Sequence, residues 1–394
     1  MIQLSERSRR VAPSITLAVT AKAKALLQQG IDVVSFGAGE PDFDTPDFIK
    51  VAAKQSLDDG LTKYTPAGGT PALKKAIADK FAADNKLSYT PAQVTTGPGG
   101  KGCLYLAMQA ILNDGDDVLI PAPYWVSYPE MAKLAGAVPR FVVGAESAGF
   151  NITPEQLEAA LTDKTRLLIL NSPGNPAGNA YTPAEMAALA QVVAKYPNLV
   201  VFSDEIYEKL IYDGFTHVSF ATLHPSLPER TLTFNCHSKT YSMTGWRVGY
   251  VGGPEHVIGC INKLQSQLNS HITSFTQPAA TLALTDPAGP PEMETMRAKF
   301  EQRMHHMHRR LNELPGVTCV KPQGAFYCFP NISAHLRPGE TSIQFAERLL
   351  DEAHVAVVPG DDSGFPTHVR LSFATGMAQI DKGLDRMAEY LARG

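Results

Sequence analysis

The chain has 394 residues, of which 44% are hydrophobic and 19% charged, a composition typical of a globular protein with a large buried core. Its formal net charge of −4 gives no general attraction to nucleic acid or to an anionic membrane. No apolar run is long enough to cross a bilayer, and the N-terminal segment lacks the apolar stretch of a secretory signal. The five cysteines form no CxxC pair, so we expect free thiols and a cytoplasmic protein.

Apolar, β-rich runs alternate with helical patterns over most of the chain. An N-terminal arm and a helix near 14–29 precede a Gly/Pro-rich segment at 36–46, a helical stretch at 46–59 and a loop at 63–73. The runs that we interpret as strands are 118–121, 141–144, 166–173, 199–205, 231–235 and 246–253. Continuous apolar strands separated by helices predict a mainly parallel sheet that helices cover on both faces.

The pattern changes after residue 285. There we predict a charged helix at 291–313, strands at 317–320 and 325–330, a helix at 342–353, strands at 355–359 and 368–373, and a terminal helix. The fold class is therefore α/β, with a large domain and a smaller α+β domain. We assign 1–45 to an N-terminal arm and part of the small domain, 46–285 to the large ligand-binding domain, and 286–394 to the C-terminal small domain.

Polar side chains follow three of the predicted strands. Asn175 comes after the run at 166–173. Asp204 lies at the end of the run at 199–205, and Tyr207 comes two residues after it. Lys239 and Arg247 come after the run at 231–235. In an open parallel sheet, ligands bind at the carboxyl ends of the strands. We expect these five side chains to converge there.

That set of side chains suits pyridoxal 5'-phosphate (PLP). The cofactor is an electron sink that depends on a protonated pyridine nitrogen, which Asp204 can stabilise. Lys239 can form the imine and move the proton, while Tyr207 and Asn175 can bind the phenolic oxygen. Arg247 offers a fork of donors for the phosphate.

A glycine-rich turn and a tryptophan complete this prediction. Three glycines, of which Gly100 is the last, precede an apolar-periodic helix, so that backbone amides can approach the phosphate. The turn is not a Walker A loop, because Lys101 is followed by Gly102 and not by serine or threonine. Trp125 precedes another helical pattern and can stack on the cofactor ring.

A histidine-rich segment at 304–310 raises the question of a metal site. His305 and His308 can share one helix face, but we find no acidic or cysteine partner placed with them. We therefore expect a solvated helix face and no metal. Cys103 lies on an apolar helix face, where we expect no nucleophile.

The sequence resembles the class I aminotransferases of fold type I, which depend on PLP, and within them the bacterial aspartate aminotransferase branch. The resemblance covers nearly the whole chain. It depends most on the lysine segment S-K-x-x-x-x-x-G-x-R, and it extends to the segments VSFGAGEPDFDTP, KYTPAGGTPALKKAI, APYWVSYPEM, NSPGNPAG, SDEIYEKLIYDG, PQGAFYCFP and HVRLSFAT.

The resemblance implies a role for each matching residue. Lys239 holds the cofactor as a Schiff base and is catalytic, together with Asp204 and Tyr207. The remaining cofactor contacts are Gly100, Lys101, Trp125, Asn175, Ser238, Arg247 and, from the neighbouring subunit, Tyr64. The substrate contacts are Arg370 for the α-carboxylate, supported by Gly39, Asn175 and Trp125, and Lys101 with Thr16 for a distal carboxylate. Because Tyr64 reaches the partner's site, the resemblance implies a homodimer with shared active sites.

The resulting hypothesis is an aminotransferase that moves an amino group between aspartate or glutamate and a 2-oxo acid by a ping-pong route. Branch members with both Thr16 and Lys101 resemble those that also transaminate prephenate. An aromatic or other amino-acid aminotransferase and a PLP lyase of the same fold remain alternatives. A PLP-binding regulator without turnover would need a DNA-binding domain, for which the chain has no length left.

Overall fold

The computed structural model describes residues 2–13 and 15–393, except for the side chains of residues 15–18 and 20. Its strands are β1 (Val34–Ser35), β2 (Val94–Pro98), β3 (Asp117–Ala122), β4 (Val138–Val143), β5 (Thr165–Asn171), β6 (Val200–Asp204), β7 (Thr231–Cys236), β8 (Val248–Gly252), β9 (Tyr327–Cys328), β10 (Val355–Ala356), β11 (Val358–Pro359) and β12 (Val369–Ser372).

The helices lie between these strands and at both ends of the chain. They are α1 (Glu6–Arg9), α2 (Ile15–Gln28), α3 (Asp47–Asp58), α4 (Pro71–Lys80), α5 (Gly99–Ile111), α6 (Ser127–Leu134), α7 (Pro154–Ala160), α8 (Pro183–Ala194), α9 (His237–Thr240), α10 (Glu255–Leu268), α11 (Thr276–Thr285), α12 (Gly289–Asn312), α13 (Ser342–Ala353) and α14 (Met377–Leu391). Within the described ranges, no helix has the length and apolar character needed to span a membrane.

The central sheet has seven strands in the order β2-β8-β7-β6-β5-β3-β4. The strands from β7 to β4 are mutually parallel, and β8 runs antiparallel to both of its neighbours. The six predicted strands match β3 to β8, so a mainly parallel sheet is confirmed. The carboxyl ends of β2, β3, β5, β6 and β7 consequently share one edge.

Both faces of the sheet are buried at its inner strands, whereas the edge strand β4 is largely exposed. In β5, Leu168 and Leu170 pack with Leu189 of α8, whereas Ile169 packs with Leu104 of α5 on the opposite face. Successive residues of a strand point to opposite faces, so burial on both sides requires a continuous apolar run. Each buried side chain of this size contributes about 1.5–3 kcal/mol to stability.

A third core joins the C-terminal elements. On α12, the buried side chains recur every three or four residues, which gives the helix one apolar face: Met296, Phe300, Met304, Met307 and Leu311. Val34 pairs with Val355, so β1 lies beside β10 in this region. Leu210, which follows β6, also packs in this core. The domain boundaries at 45/46 and 285/286 stay predictions.

Two details of the predicted elements were wrong. Strand β2 was not predicted, because its three β-branched residues, Val94 to Thr96, form too short a run before Gly97 and Pro98 to be distinguished from the glycine-rich turn. Of the strands expected at 317–320 and 325–330, only Tyr327–Cys328 forms one, with single bridges at Thr318 and Asn331. Pro322 and Pro330 remove backbone donors from this segment and interrupt the ladder.

Candidate active site

Lys239 lies on α9, the short helix that begins directly after β7. Its Nζ donates a hydrogen bond to the carbonyl oxygen of Gly39 at 2.5 Å and lies 5.5 Å from the centroid of the Phe326 ring. Desolvation lowers the pKa of Lys239 to about 8, although the nearby Cys236 and Glu40 act in the opposite direction. An amine with this pKa is partly neutral near pH 7, the form in which lysine is a nucleophile and a base.

Asp204 ends β6 and is fully buried. Its Oδ2 accepts a hydrogen bond of 2.5 Å from the hydroxyl of Tyr128, and its Oδ1 accepts one of 3.4 Å from the backbone amide of Ile206. Burial raises the pKa of Asp204 to about 6, and these hydrogen bonds lower it only in part. Both donors are neutral, so the carboxylate is suited to a ligand that brings a positive charge.

Two buried tyrosines connect the β6 end to the C-terminal region. The hydroxyl groups of Tyr207 and Tyr327 are 3.0 Å apart, and the guanidinium carbon of Arg370 lies 4.5 Å from the centroid of the Tyr327 ring. Burial, reinforced by Tyr327, raises the pKa of Tyr207 well above its usual range. Tyr207 is therefore a hydroxyl donor at neutral pH.

Arg370 is a buried cation held by neutral groups. It is 5% exposed, Nη1 donates to Oδ1 of Asn175 at 3.1 Å, and Nη2 donates to the carbonyl oxygen of Gly37 at 2.9 Å. Its Nε has no hydrogen-bond partner in the described part of the chain. A buried guanidinium with an unused donor is suited to bind a carboxylate.

A pocket lies against Arg370. Trp125 and Asn175 line it together with Tyr124, Val126, Pro176, Val358, Pro359 and Ser363. The indole of Trp125 meets the ring of Tyr128 edge-on at 5.3 Å. The pocket is therefore flanked by a flat aromatic surface and by a carboxylate-binding side chain.

Arg247 and the first turn of α5 form a second group of donors. Arg247 donates to the carbonyl oxygens of Thr244 at 2.9 Å and Pro98 at 3.2 Å. Gly99 begins α5 with a φ of +76°, and a Cβ there would stand 2.4 Å from Nη2 of Arg247. Only glycine permits this approach, which places the free amides near Gly100 beside a guanidinium. Together they favour an anion. Ser238, directly before Lys239, is also buried.

Lys101 lies beside Trp125, one of the residues that line the pocket. Its side chain is exposed overall, yet Nζ is 4.9 Å from the centroid of the Trp125 ring. Desolvation and the charge of Arg247 lower the pKa of Lys101. Thr16, its expected companion, has a side chain outside the described residues.

Tyr64 is not brought to the other site residues. It is 90% exposed, and its ring meets that of His271 edge-on at a centroid distance of 5.5 Å. The other described residues of the predicted site lie near the sheet edge formed by the strand ends or in the C-terminal elements beside it.

The prediction for the histidine segment was wrong in one respect. Acidic groups do contact it, because His305 meets Asp213 at 2.9 Å and His306 meets Asp381. Asp213 and Asp381 come from distant parts of the sequence, so spacing could not reveal them, whereas Glu301, whose carboxylate lies within 4.8 Å of a ring nitrogen of His305, stands four residues earlier on the same helix. Lys321 and Arg310 also pair with the two aspartates, which gives each of them a cationic partner already.

Two residues that touch the site were missed, Tyr128 and Tyr327. Tyr128 lies three residues after Trp125, about one helical turn away. This spacing could have indicated that Tyr128 lies beside the indole ring of Trp125. Tyr327 stands in the segment PQGAFYCFP, where nothing local distinguishes it from a core aromatic residue.

Residues 31–387 match the family "Aminotransferase class I and II". The chain is 48% identical to the aspartate aminotransferase of Geobacillus stearothermophilus, covering 99% of each chain, and 48% identical to the aspartate/prephenate aminotransferase of Cereibacter sphaeroides, covering 100% of this chain and 99% of the other.

Solved structures agree with these relatives. The aspartate aminotransferase of Rhizobium meliloti superposes with a TM-score of 0.96 at 40% identity over all of both chains. That of Thermus thermophilus with maleate gives a TM-score of 0.94 at 42% identity, covering 99% of this chain and 100% of the other. The α/β fold of type I is therefore confirmed, and the chain belongs to the class I and II aminotransferases.

Proposed function

We propose that this aminotransferase depends on PLP and moves an amino group between a dicarboxylic amino acid, aspartate or glutamate, and a 2-oxo acid. We propose prephenate as a further substrate. The observation that carries the proposal is a pair of cations at one pocket. Arg370 lines the pocket and has an unused donor, and Nζ of Lys101 lies 4.9 Å from the centroid of the ring of Trp125, which lines the same pocket. Two cations suit a substrate with two carboxylates. The names of the relatives from Geobacillus and Cereibacter support this substrate class.

The donor set fits PLP. When bound, the cofactor supplies an electron sink for the negative charge that develops at the substrate's α-carbon. Asp204, buried and paired only with neutral donors, is suited to a protonated ring nitrogen. Lys239 would hold the cofactor covalently, Tyr207 and Asn175 would bind the ring oxygen, and Trp125 would cover the ring. The phosphate would be bound by Arg247, Ser238, the amides near Gly100 and Lys101, and Tyr64 of a second copy.

The chain's own residues then divide the work. Arg370 binds the α-carboxylate, with Asn175 and the backbone at Gly39 beside it, and this fixes the orientation of the α-carbon. Nζ of Lys239, once the substrate's amine has displaced it, would take the proton from that α-carbon and pass it to the bound cofactor. The lowered pKa suits this task, because a base works best when its pKa is near the working pH. Lys101 binds the distal carboxylate.

Tyr64 supports a homodimer with shared sites. Its side chain is almost fully exposed in one chain, and exposed Leu57 and Leu61 precede it on the same stretch. An aromatic side chain in such a position is suited to contact a second copy. The five free cysteines also support a reducing compartment, and we propose the cytoplasm.

A donor and acceptor panel tests the proposal. Purified protein loaded with PLP would be given aspartate, glutamate, alanine and phenylalanine with several 2-oxo acids and prephenate. We expect the highest kcat/KM for aspartate or glutamate. The Lys239→Ala variant serves as the control that retains the pocket and loses the reactive amine. Preference for phenylalanine or alanine would refute the dicarboxylic assignment.

A further inference from the structure

A buried polar cluster lies behind the end of β6, on the side away from the pocket. Its centre is the carboxylate of Glu205, the residue that follows Asp204, and Glu205 is 2% exposed. Because neighbouring residues of extended backbone point to opposite faces, Glu205 faces away from the side occupied by Asp204. None of the roles described above uses this carboxylate.

The carboxylate of Glu205 accepts hydrogen bonds from five donors. They come from three separate parts of the chain: the hydroxyl of Ser203 at 2.8 Å, the hydroxyl of Ser219 at 2.6 Å, the amide of Asn85 at 3.0 Å, the imidazole of His217 at 3.1 Å and the backbone amide of Phe220 at 3.3 Å. We call Glu205 with these donors the Glu205 anchor.

The charges in the cluster are arranged to keep Glu205 ionised. Burial alone would raise its pKa, but the hydrogen bond and charge of His217, with the serine hydroxyls, lower it. Burial would lower the pKa of His217, but Glu205 outweighs this and raises it. Lys80 pairs with neighbouring Glu208 and contacts Asn85 at 2.6 Å.

The backbone of Glu205 is tied to the two strands that carry the site. Its amide donates to the carbonyl of Phe234 on β7 at 3.0 Å, and the side-chain amide of Asn235 donates to its carbonyl at 3.3 Å. Asn235 is four residues before Lys239. The anchor therefore lies at the junction of the segments that present Asp204, Tyr207 and Lys239.

Asn85 reaches the cluster through an irregular helix. A turn of π-helix at Phe81–Asn85 follows α4, and the side chain of Asn85 is 4% exposed. Such turns widen a helix and redirect a side chain, and they occur often near functional sites. Glu205, Glu208 and His217 also stand close enough to share a metal ion, but Lys80 and Asn85 already contribute donors to the carboxylates.

We propose that Glu205 is a positioning residue, whose buried carboxylate fixes the turn that presents Asp204 and Tyr207 to the cofactor. This inference rests on the proposed function. Small displacements of catalytic groups reduce turnover strongly. Substrate binding should change less, because the hydrogen bonds that hold Arg370 go to Asn175 and Gly37, outside this turn.

The test compares Glu205→Gln with Glu208→Gln. Both remove one buried negative charge from the same cluster, but the carboxylate of Glu208 contacts Lys80 and Asn85 and none of the other donors of the anchor. For Glu205→Gln we expect kcat to fall about ten- to a hundredfold, the Kd for PLP to rise about tenfold, and KM to change less than about threefold. For Glu208→Gln we expect kcat and the Kd for PLP within about 1.5-fold of wild type.

Urea unfolding of the PLP-loaded proteins separates positioning from stability. Equal losses of stability in both variants, with equal and small changes in kcat and Kd, would mean that Glu205 only supports the fold.

If Glu205→Gln does not fold, Ser219→Ala removes the donor at 2.6 Å and keeps the carboxylate. Ser219→Ala should lower kcat about threefold and leave KM nearly unchanged. An unchanged kcat would overturn the proposal. A wild type that neither binds PLP nor transfers an amino group would instead refute the proposed function.

Discussion

The replacement Asp204→Asn should stabilise the cofactor-free protein while it abolishes most of the activity. Burial raises the pKa of Asp204 from 3.8 to about 6. A group whose folded pKa lies above its unfolded pKa binds its proton more tightly when folded, so its ionisation disfavours the fold. This cost in folding free energy is absent when the pH is well below 3.8, and it reaches its full value when the pH is above about 6.

The size of the effect follows from the same two values. The interval from 3.8 to about 6 corresponds to about 3 kcal/mol, since one pKa unit is worth about 1.4 kcal/mol. Asparagine keeps an oxygen for the Tyr128 hydroxyl but adds an amide that needs an acceptor, which reduces the gain. We expect the free energy of unfolding to rise by about 1–3 kcal/mol near pH 8 and by about half as much near pH 5.

Urea unfolding of PLP-free protein at these two pH values measures the gain. Asp117→Asn is the matched control, because Asp117 is also buried but pairs with Arg140 at 3.1 Å, so its loss should destabilise the protein. Turnover by Asp204→Asn should fall by about three orders of magnitude, or about 4 kcal/mol of barrier. A gain that is absent, or equal at both pH values, would refute the argument that ionised Asp204 opposes folding.

Three further predictions concern the other side chains of the site. Borohydride reduction of the PLP-loaded protein, followed by peptide mapping, should place the label on Lys239, and a label on another lysine would contradict the assignment. Lys101→Ala should lower kcat/KM for aspartate about ten- to two-hundredfold and leave alanine nearly unchanged, because a charge-assisted hydrogen bond is worth about 1.5–3 kcal/mol; an unchanged ratio of the two would exclude Lys101 from substrate recognition. Mixing inactive Lys239→Ala chains with Tyr64→Ala chains of reduced activity should raise the activity of the Tyr64→Ala chains, because in a hybrid dimer their intact Lys239 meets the intact Tyr64 of the other chain; verified hybrids without this gain would exclude shared sites.

The sequence predicted the central sheet well because two-sided burial leaves a continuous apolar run in each inner strand. Lys239, Asp204 and Asn175 could be predicted from the same runs, since each stands at or just beyond the end of one. Strand β2 could not, because its short β-branched run ends in Gly97 and Pro98, and its pairing with β8 determines that it forms a strand. Tertiary contacts of this kind leave no local pattern.

The environments of the site residues were less predictable than their positions. The hydroxyl that meets Asp204 belongs to Tyr128, 76 positions earlier in the chain. The donors of the Glu205 anchor include Asn85, 120 positions away. The aspartate partners of the histidine segment were missed for the same reason. A spacing pattern describes neighbours along one element, and these contacts join elements that only the fold brings together.

The hydrogen bonds to the segment Gly37–Gly39 have a consequence for how a substrate enters. Arg370 donates to the carbonyl of Gly37, and Lys239 donates to that of Gly39, so one short stretch of backbone solvates both cations. An arriving carboxylate therefore competes with a backbone carbonyl oxygen, and not with mobile water, for the donors of the cation. The cation already points its donors toward an acceptor, so it needs little reorientation. When the substrate carboxylate replaces a backbone carbonyl as the acceptor, residues 37–39 lose a hydrogen bond to the cationic side chain. Substitutions that alter the path of residues 37–39 should therefore change affinity by a similar factor for every amino acid, whatever its side chain.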